Sequence, residues 1–143
     1  MTSAEEHTKK IKEHLEEIED AINEGIEKKP ITIGFHCSAC SVQLLELFLH
    51  LENKISVGHV IKHDWFKRPK IEQKIEPLIE RKLPVQFEKK KEIYSLIYEI
   101  EENRENLVYG KTDSGKIKLV LDSFNRLKEM LLPKLKEKGV EIE

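Results

Sequence analysis

A chain of 143 residues that carries 25 Lys and Arg against 27 Asp and Glu has the length of one ordinary domain and a net charge of −2. This balance excludes a global attraction to nucleic acid or anionic membrane, so any such site must be a local basic patch. Two Cys three positions apart and a polar start predict a reduced, cytoplasmic protein of one domain, 1–143, without a disulfide scaffold or a secretory leader.

Charged residues make up 36% of the chain, and Lys and Glu greatly outnumber Arg and Asp among them. A surplus of Lys and Glu is typical of proteins from thermophiles, in which ion-pair networks contribute more as temperature rises. The composition therefore predicts a thermophilic habitat and carries no information about function.

The first predicted helix covers about residues 4–29. Ser3 is placed to cap it, and Glu5 and Glu6 favour the positive end of the helix dipole. Gly25 weakens the last turns and Pro30 ends the helix. The predicted buried stripe follows helical spacing: Ile11, Leu15, Ile18, Ile22 and Ile26.

The second predicted helix covers about 31–52 and is the centre of the predicted fold. Residues 31–51 contain no Lys or Arg and a single acid, Glu46. Its length would allow a membrane span, but six polar side chains and charged flanking helices favour a buried helix of a soluble bundle, away from any membrane. Apolar residues lie all round the helix, as in buried helices: Ile33, Phe35, Cys37, Cys40, Leu44, Leu45, Leu47, Phe48 and Leu51.

The connection over 55–86 is predicted to hold two short helices. One begins at Ser56, with Val57, Val60, Ile61 and Trp65 at helical spacing. The other covers 70–83 and is kinked or interrupted at Pro77. Its apolar positions are Ile71, Ile75, Leu78, Ile79 and Leu83.

Two further long helices are predicted over about 87–109 and 115–137, separated by Gly110 and a cap at Asp113 or Ser114. No internal segment alternates with period two, so the predicted fold is an all-α, antiparallel bundle of four long helices. The buried face of the third long helix is Ile93, Leu96, Ile97, Ile100 and Leu107, and that of the fourth is Leu119, Val120, Phe124, Leu127, Met130 and Leu131.

Cysteine and histidine pairs provide one candidate for chemistry. Cys37 and Cys40 form a CxxC, and His59 and His63 are four positions apart, so the four could bind zinc tetrahedrally. The alternative is that the thiols pack in the core, as free Cys usually does, and that the histidines serve no ligand. The packing interpretation is favoured, and no metal or other cofactor is expected.

The end of the third long helix provides the other candidate. Arg104 is one of four arginines in a chain that otherwise prefers Lys, and Arg suits planar contacts to phosphate or carboxylate. Asn106, Tyr109 and Lys111 follow it, so these four residues are the candidate ligand-binding set. The alternative for Arg104 is a surface ion pair with Glu101 or Glu105.

The helix pattern, the apolar segment FHCSACSVQLLELFL and the Arg at a helix end resemble a HEPN domain, an all-α bundle. The resemblance implies a homodimer, and in active members an Arg followed by four to six residues and a His that cleave RNA without metal. Other members pair with a minimal nucleotidyltransferase as toxin and antitoxin. Only Arg104 matches that motif here, because Tyr109 stands where the His would be and no His follows His63.

Three functional hypotheses follow. The first is a HEPN-like binding or regulatory module for RNA, a nucleotide or a nucleotidyltransferase partner, without enzymatic activity. The second is a divergent ribonuclease that uses Arg104 and Tyr109, although a phenol is a poor proton shuttle at neutral pH. The third is a small metal-binding bundle that uses Cys37, Cys40, His59 and His63.

Overall fold

A computed structural model describes residues 3–70, 72 and 74–142 of the chain. Within these ranges the protein is helical and contains no strand, which confirms the all-α bundle. The helices are α1 (Ala4–Glu24), α2 (Pro30–Leu51), α3 (Leu78–Lys82), α4 (Lys90–Val108) and α5 (Ser114–Glu137), and single 3-10 turns cover Ile26–Lys28 and His63–Trp65.

Local signals set the ends of the long helices. The side chain of Ser3 accepts a hydrogen bond from the Glu6 N–H, and that of Asp113 accepts one from the Lys116 N–H, so both predicted caps are confirmed. Gly25, with a φ of 115°, ends α1 five residues before the predicted boundary. Pro30 occupies the first turn of α2, where its missing N–H is not needed.

Helix α2 is the central element, since it packs against α1, α4 and α5. His7 bonds Gln43 and His14 bonds His36, so α1 and α2 run antiparallel. By length and hydropathy α2 is the one helix in the described ranges that could cross a membrane, yet 67% of that window is buried inside the bundle. The apolar character of α2 is therefore explained by its neighbours in the core.

Burial of α2 is not uniform, which corrects part of the sequence analysis. From Cys37 to Leu49 nearly every side chain is buried, but Phe35, predicted to be in the core, is exposed. Ile33 and Gly34 beside it are buried, so only one face of the first turns of α2 meets solvent. Two other positions of the predicted buried faces are also exposed, Ile22 and Leu119, and so are three apolar positions of the helices predicted in the connection, Val57, Val60 and Ile75.

The connection between α2 and α4 differs most from its prediction. No helix begins at Ser56, because Gly58 has a φ of 89° and the Ile61 N–H is donated to the carboxylate of Glu46. In the described part of the predicted 70–83 helix, which leaves out Ile71 and position 73, only α3 forms. It begins directly after Pro77. The connection is held by isolated buried side chains, chiefly Ile61, Phe66, Ile79 and Leu83.

Candidate functional site

Arg104 lies in the last two turns of α4, against the exposed end of α2. Its guanidinium carbon is 6.0 Å from the centre of the Phe35 ring, a cation–π contact. Arg104 makes no ion pair with any described residue, so the proposed pairs with Glu101 and Glu105 do not form. No carboxylate of the described residues contacts the Arg104 guanidinium, so its positive charge is available to an anionic ligand.

Gly34 explains how α2 and α4 come close enough for this contact. A Cβ atom built on Gly34 would lie 2.8 Å from Leu107 Cβ and 3.3 Å from Val108 Cγ2. Real Cβ atoms do not approach so closely, so the two backbones meet at their present distance because position 34 has no side chain. The neighbouring Phe35 is thereby placed beside Arg104.

The other members of the candidate set follow Arg104 along the end of α4. Arg104 and Asn106 are two positions apart, which is about 200° around an α-helix, so their side chains leave α4 on different sides. Tyr109 follows the last turn of α4, and both it and Lys111 are exposed. Exposed apolar residues are prominent at this end of the bundle: Ile31 (60% exposed), Phe35 (45%) and Tyr109 (77%).

A polar network that the sequence analysis did not find lies one helical turn before Arg104. Ser38 of α2 donates a hydrogen bond to one carboxylate oxygen of Glu101, and His63 Nδ1 donates to the other at 2.9 Å. The carboxylate lies between the hydroxyl and the imidazole, so His63 does not activate Ser38 as the base of a catalytic triad would. Glu101 instead orients the half-exposed ring of His63 beside α4.

The cysteines and histidines of the metal hypothesis lie apart. Cys37 and Cys40 are fully buried in α2, and burial raises the pKa of both thiols, that of Cys40 to about 12. His59 is exposed in the connection, and His63 is bonded to Glu101. Over residues 3–70, 72 and 74–142, no group of three or more His, Cys, Asp or Glu side chains is arranged to hold a metal ion.

Glu46, the single acid of the apolar segment, is buried and anchors the connection. Its Oε1 accepts the Ile61 N–H at 2.6 Å, and its Oε2 is 3.8 Å from His7 Nδ1, which donates to Gln43 at 2.7 Å. Burial raises the pKa of Glu46, while the bond from Ile61 and the charges of Lys10 and His59 lower it. The carboxylate thus binds its proton more tightly in the folded chain.

This raised pKa predicts how Glu46→Gln changes stability with pH. The stability that Glu46 contributes as a neutral acid is fully present below its unfolded pKa of about 4.3, and it is lost as pH rises through the higher folded pKa. Gln can still accept the Ile61 N–H and does not ionise. We therefore expect Glu46→Gln to become more stable relative to wild type as pH rises above about 4, measured by urea unfolding.

The control for this measurement is Glu17→Gln, which removes an exposed carboxylate from α1 and changes the net charge equally. A difference between Glu46→Gln and wild type that stays constant with pH, or that matches the control, would contradict the expectation.

A pair of histidines joins α1 to α2. His14 Nδ1 and His36 Nδ1 are 2.8 Å apart, with ring centres separated by 5.1 Å and planes inclined by 57°. Burial lowers the pKa of His14, the charge of His36 and that of Lys10 lower it further, and Glu13 opposes them. One imidazole donates to the other, which requires at least one neutral ring.

A cleft lies between the connection and α4. Arg68 bonds Glu102 at 2.9 Å and covers the Tyr98 ring, while Lys90 bonds Glu80 at 2.8 Å. The buried hydroxyl of Tyr94, which also lines the cleft, has no hydrogen-bond partner among the described residues. Each of these two cations therefore already has a carboxylate partner.

Sequence patterns could not have revealed these networks. Ser38, His63 and Glu101 come from three segments, and His14 and His36 are 22 positions apart. These side chains come into contact only because the folded segments pack against one another in one particular register. Comparisons of the chain with protein-family models, with curated proteins and with solved structures found no match.

Proposed function

We propose that this chain is a HEPN-like binding module that acts in the cytoplasm and binds single-stranded RNA or a nucleotide around Arg104. The observation that carries the proposal is the Arg104 guanidinium, without a carboxylate partner in the described residues and lying over the exposed Phe35 ring. A guanidinium beside exposed aromatic rings can contact a phosphate while a base stacks nearby.

The surroundings support an anionic, partly aromatic ligand. Phe35 and Tyr109 provide exposed rings at this end of the bundle, and Lys111 adds a second positive charge in the loop that follows α4. With a net charge of −2 the chain has no general attraction for nucleic acid, so binding has to come from such a local surface. The chain needs no catalytic group for this role.

We also propose the homodimer that the HEPN resemblance implies. Ile31 and Phe35 are four positions apart on α2 and therefore lie on one exposed face, which supports an interface with a second protein chain. A second copy beside that face would bring two Arg104 side chains to one groove. A nucleotidyltransferase partner is the alternative occupant, and sedimentation velocity on the isolated chain distinguishes the two, since only the first gives a dimer.

The binding proposal predicts that Arg104→Ala weakens RNA binding by about tenfold to a hundredfold, because a hydrogen bond to a charged group contributes about 1.5–3 kcal/mol. Fluorescence anisotropy with a labelled single-stranded RNA, and competition by nucleotides, measures the change. The slope of log affinity against log salt is also expected to fall by about 0.7 if one phosphate contact is lost.

The matched control is Arg126→Ala, which removes an exposed arginine from α5. It is expected to bind RNA as the wild type does. Equal RNA affinities for wild type and Arg104→Ala would show that Arg104 is not part of the site. An equal loss of affinity in Arg104→Ala and Arg126→Ala would show that only the net charge of the protein matters.

A second candidate function, metal-independent RNA cleavage, is favoured by one observation. The resemblance implies a His near the Arg, and position 109 holds Tyr, but His63 reaches α4 from the connection and is oriented by Glu101, three positions before Arg104. Its Nε2 could take the proton of an RNA 2′-hydroxyl while the 2′-oxygen attacks phosphorus and the 5′-oxygen leaves, with Arg104 stabilising the charge on phosphorus.

If this candidate is correct, the wild-type protein cleaves RNA in the presence of EDTA. The His63→Gln substitution is then expected to reduce the cleavage rate by about a hundredfold or more. His59→Gln, in the same connection, is the control and is expected to keep the activity. If Tyr109→Phe and not His63→Gln abolishes cleavage, the phenol is the proton-transfer group instead; absence of cleavage by the wild type leaves the binding module alone.

A further inference from the structure

His14 and His36 approach each other across the α1–α2 interface without any carboxylate bonded to either ring among the described residues. Both rings are half-buried, so they are fixed by packing on one side and reach solvent on the other. We propose that these two imidazoles form a binding site for a divalent transition-metal ion of the class that prefers nitrogen ligands, such as Zn²⁺ or Ni²⁺.

The distance between the nitrogens suits two ligands of one ion. Two nitrogens each about 2.0–2.1 Å from a metal lie roughly 2.9–3.4 Å apart for bond angles between about 90° and 109°. The Nδ1 atoms are 2.8 Å apart, within a few tenths of an ångström of the lower value. Each ring has to rotate away from the line that joins the two nitrogens before both lone pairs point toward one ion.

The state of the rings also suits ligation. The shared hydrogen bond already requires a neutral imidazole, and only a neutral ring has the lone pair that binds a metal. When the ion binds, the proton between the two Nδ1 atoms is lost to solvent. If the donating ring was neutral, its Nε2 takes up a proton from solvent in exchange, and if that ring was protonated, one proton is released in total. Each ring then carries its remaining proton on Nε2, and water completes the coordination.

The ligand type decides the class of ion. Imidazole nitrogen binds zinc, nickel and copper, whereas Mg²⁺ and Ca²⁺ prefer oxygen. The two imidazoles are therefore the protein ligands of the proposed site, and no carboxylate of the described residues joins them. The site is separate from Cys37 and Cys40, whose thiols are buried and neutral.

The two imidazoles lie close together only in the folded state, because they come from different helices. An ion that binds both would therefore stabilise the folded state by mass action. With Zn²⁺ or Ni²⁺ at millimolar concentration, the unfolding midpoint of the full chain, free of any histidine tag, is expected to rise by about 3 °C or more. Mg²⁺ at the same concentration is expected to leave it unchanged. Isothermal titration should give one ion for each chain.

The variants His14→Gln and His36→Gln are each expected to lose the shift, while His59→Gln, which removes an exposed histidine of the connection, keeps it. Circular dichroism before heating confirms that each variant is folded. A shift of equal size in wild type, His14→Gln and His36→Gln would overturn the proposal, as would the absence of a shift in the wild type.

A second measurement on the wild-type protein needs no substitution. Sub-stoichiometric Zn²⁺ should move the imidazole nitrogen resonances of His14 and His36 and leave the other four of the six histidines unchanged. If His59 and His63 respond first, the ion binds elsewhere and the assignment is wrong. This result is independent of RNA binding, so it separates the metal site from the role of Arg104.

Discussion

Gly34→Ala is expected to lower the free energy of unfolding by about 1–3 kcal/mol, and Gly34→Val by more, because α2 and α4 are in contact at this position. The added Cβ would lie 2.8 Å from Leu107 Cβ, and both atoms are attached directly to helix backbone. No side-chain rotation can separate them, so one helix must shift. That shift would also move Phe35 away from Arg104.

The sign of this effect is diagnostic. At an exposed position inside a helix, replacing Gly with Ala stabilises by about 1 kcal/mol, since Gly loses more backbone entropy on folding. Ala39→Gly, on the same helix, measures that propensity term and is expected to destabilise by about the same amount. Contact with α4 predicts that both substitutions destabilise, whereas propensity alone predicts opposite signs.

Urea unfolding followed by circular dichroism measures both variants. An increase in stability for Gly34→Ala would show that α2 and α4 are farther apart than the structure has them. In that case the cation–π contact between Arg104 and Phe35 would also have to be abandoned, together with the binding surface that depends on it.

The four long helices could be predicted because their signals are local. Ser3 and Asp113 cap helices through their own next turn, and the apolar stripes repeat every three or four residues. The end of α1 was less predictable. A Gly such as Gly25 only weakens a helix if it keeps a helical φ angle, and it ends the helix if its φ angle is positive, as it is here.

The connection could not be predicted because its backbone is satisfied by distant groups. Val57, Val60 and Ile61 have helical spacing, but the Ile61 N–H bonds the carboxylate of Glu46, 15 positions away in α2. Once that bond forms, Ile61 is buried while Val57 and Val60 are exposed. The helical spacing of these apolar residues therefore does not correspond to a helix, and only Ile61 among them packs into the core.

In the candidate site, too, some features could be predicted from the sequence and others depend on how the helices pack. The sequence identified Arg104 as an unusual residue, and the helix geometry explains why Asn106 does not share its side of α4. The partners that give Arg104 its surroundings, Phe35 and the His63–Glu101 pair, come from α2 and from the connection. Their arrangement depends on Gly34, whose role appears only when two helices are packed.

Phe66→Ala is expected to lower the free energy of unfolding by about 3–5 kcal/mol, the usual cost of removing a fully buried aromatic ring. The Phe66 side chain is completely buried and meets the rings of Tyr94 and Tyr98 edge to face, with centres 5.3 Å and 5.8 Å apart. Such aromatic pairs contribute about 0.5–1.5 kcal/mol beyond the area that they bury.

The position of Phe66 makes its loss a test of how the connection is held. Among the described residues between α2 and α3 it is the largest fully buried side chain, and the 3-10 turn that holds His63 immediately precedes it. Without the ring, the segment loses its main attachment to α4, so the His63–Glu101 bond should weaken as well. Hydrogen exchange is expected to accelerate at Ile61 and Phe66 more than in α1.

Val60→Ala is the matched control, since it shortens an exposed apolar side chain in the same segment and is expected to change stability by less than about 0.5 kcal/mol. Phe66→Leu, which fills part of the cavity, should fall between the two. If Phe66→Ala costs no more than Val60→Ala, the connection is not anchored to α4 through this ring. His63 would then lack a fixed place beside Arg104, and the ribonuclease candidate would lose the observation that favours it.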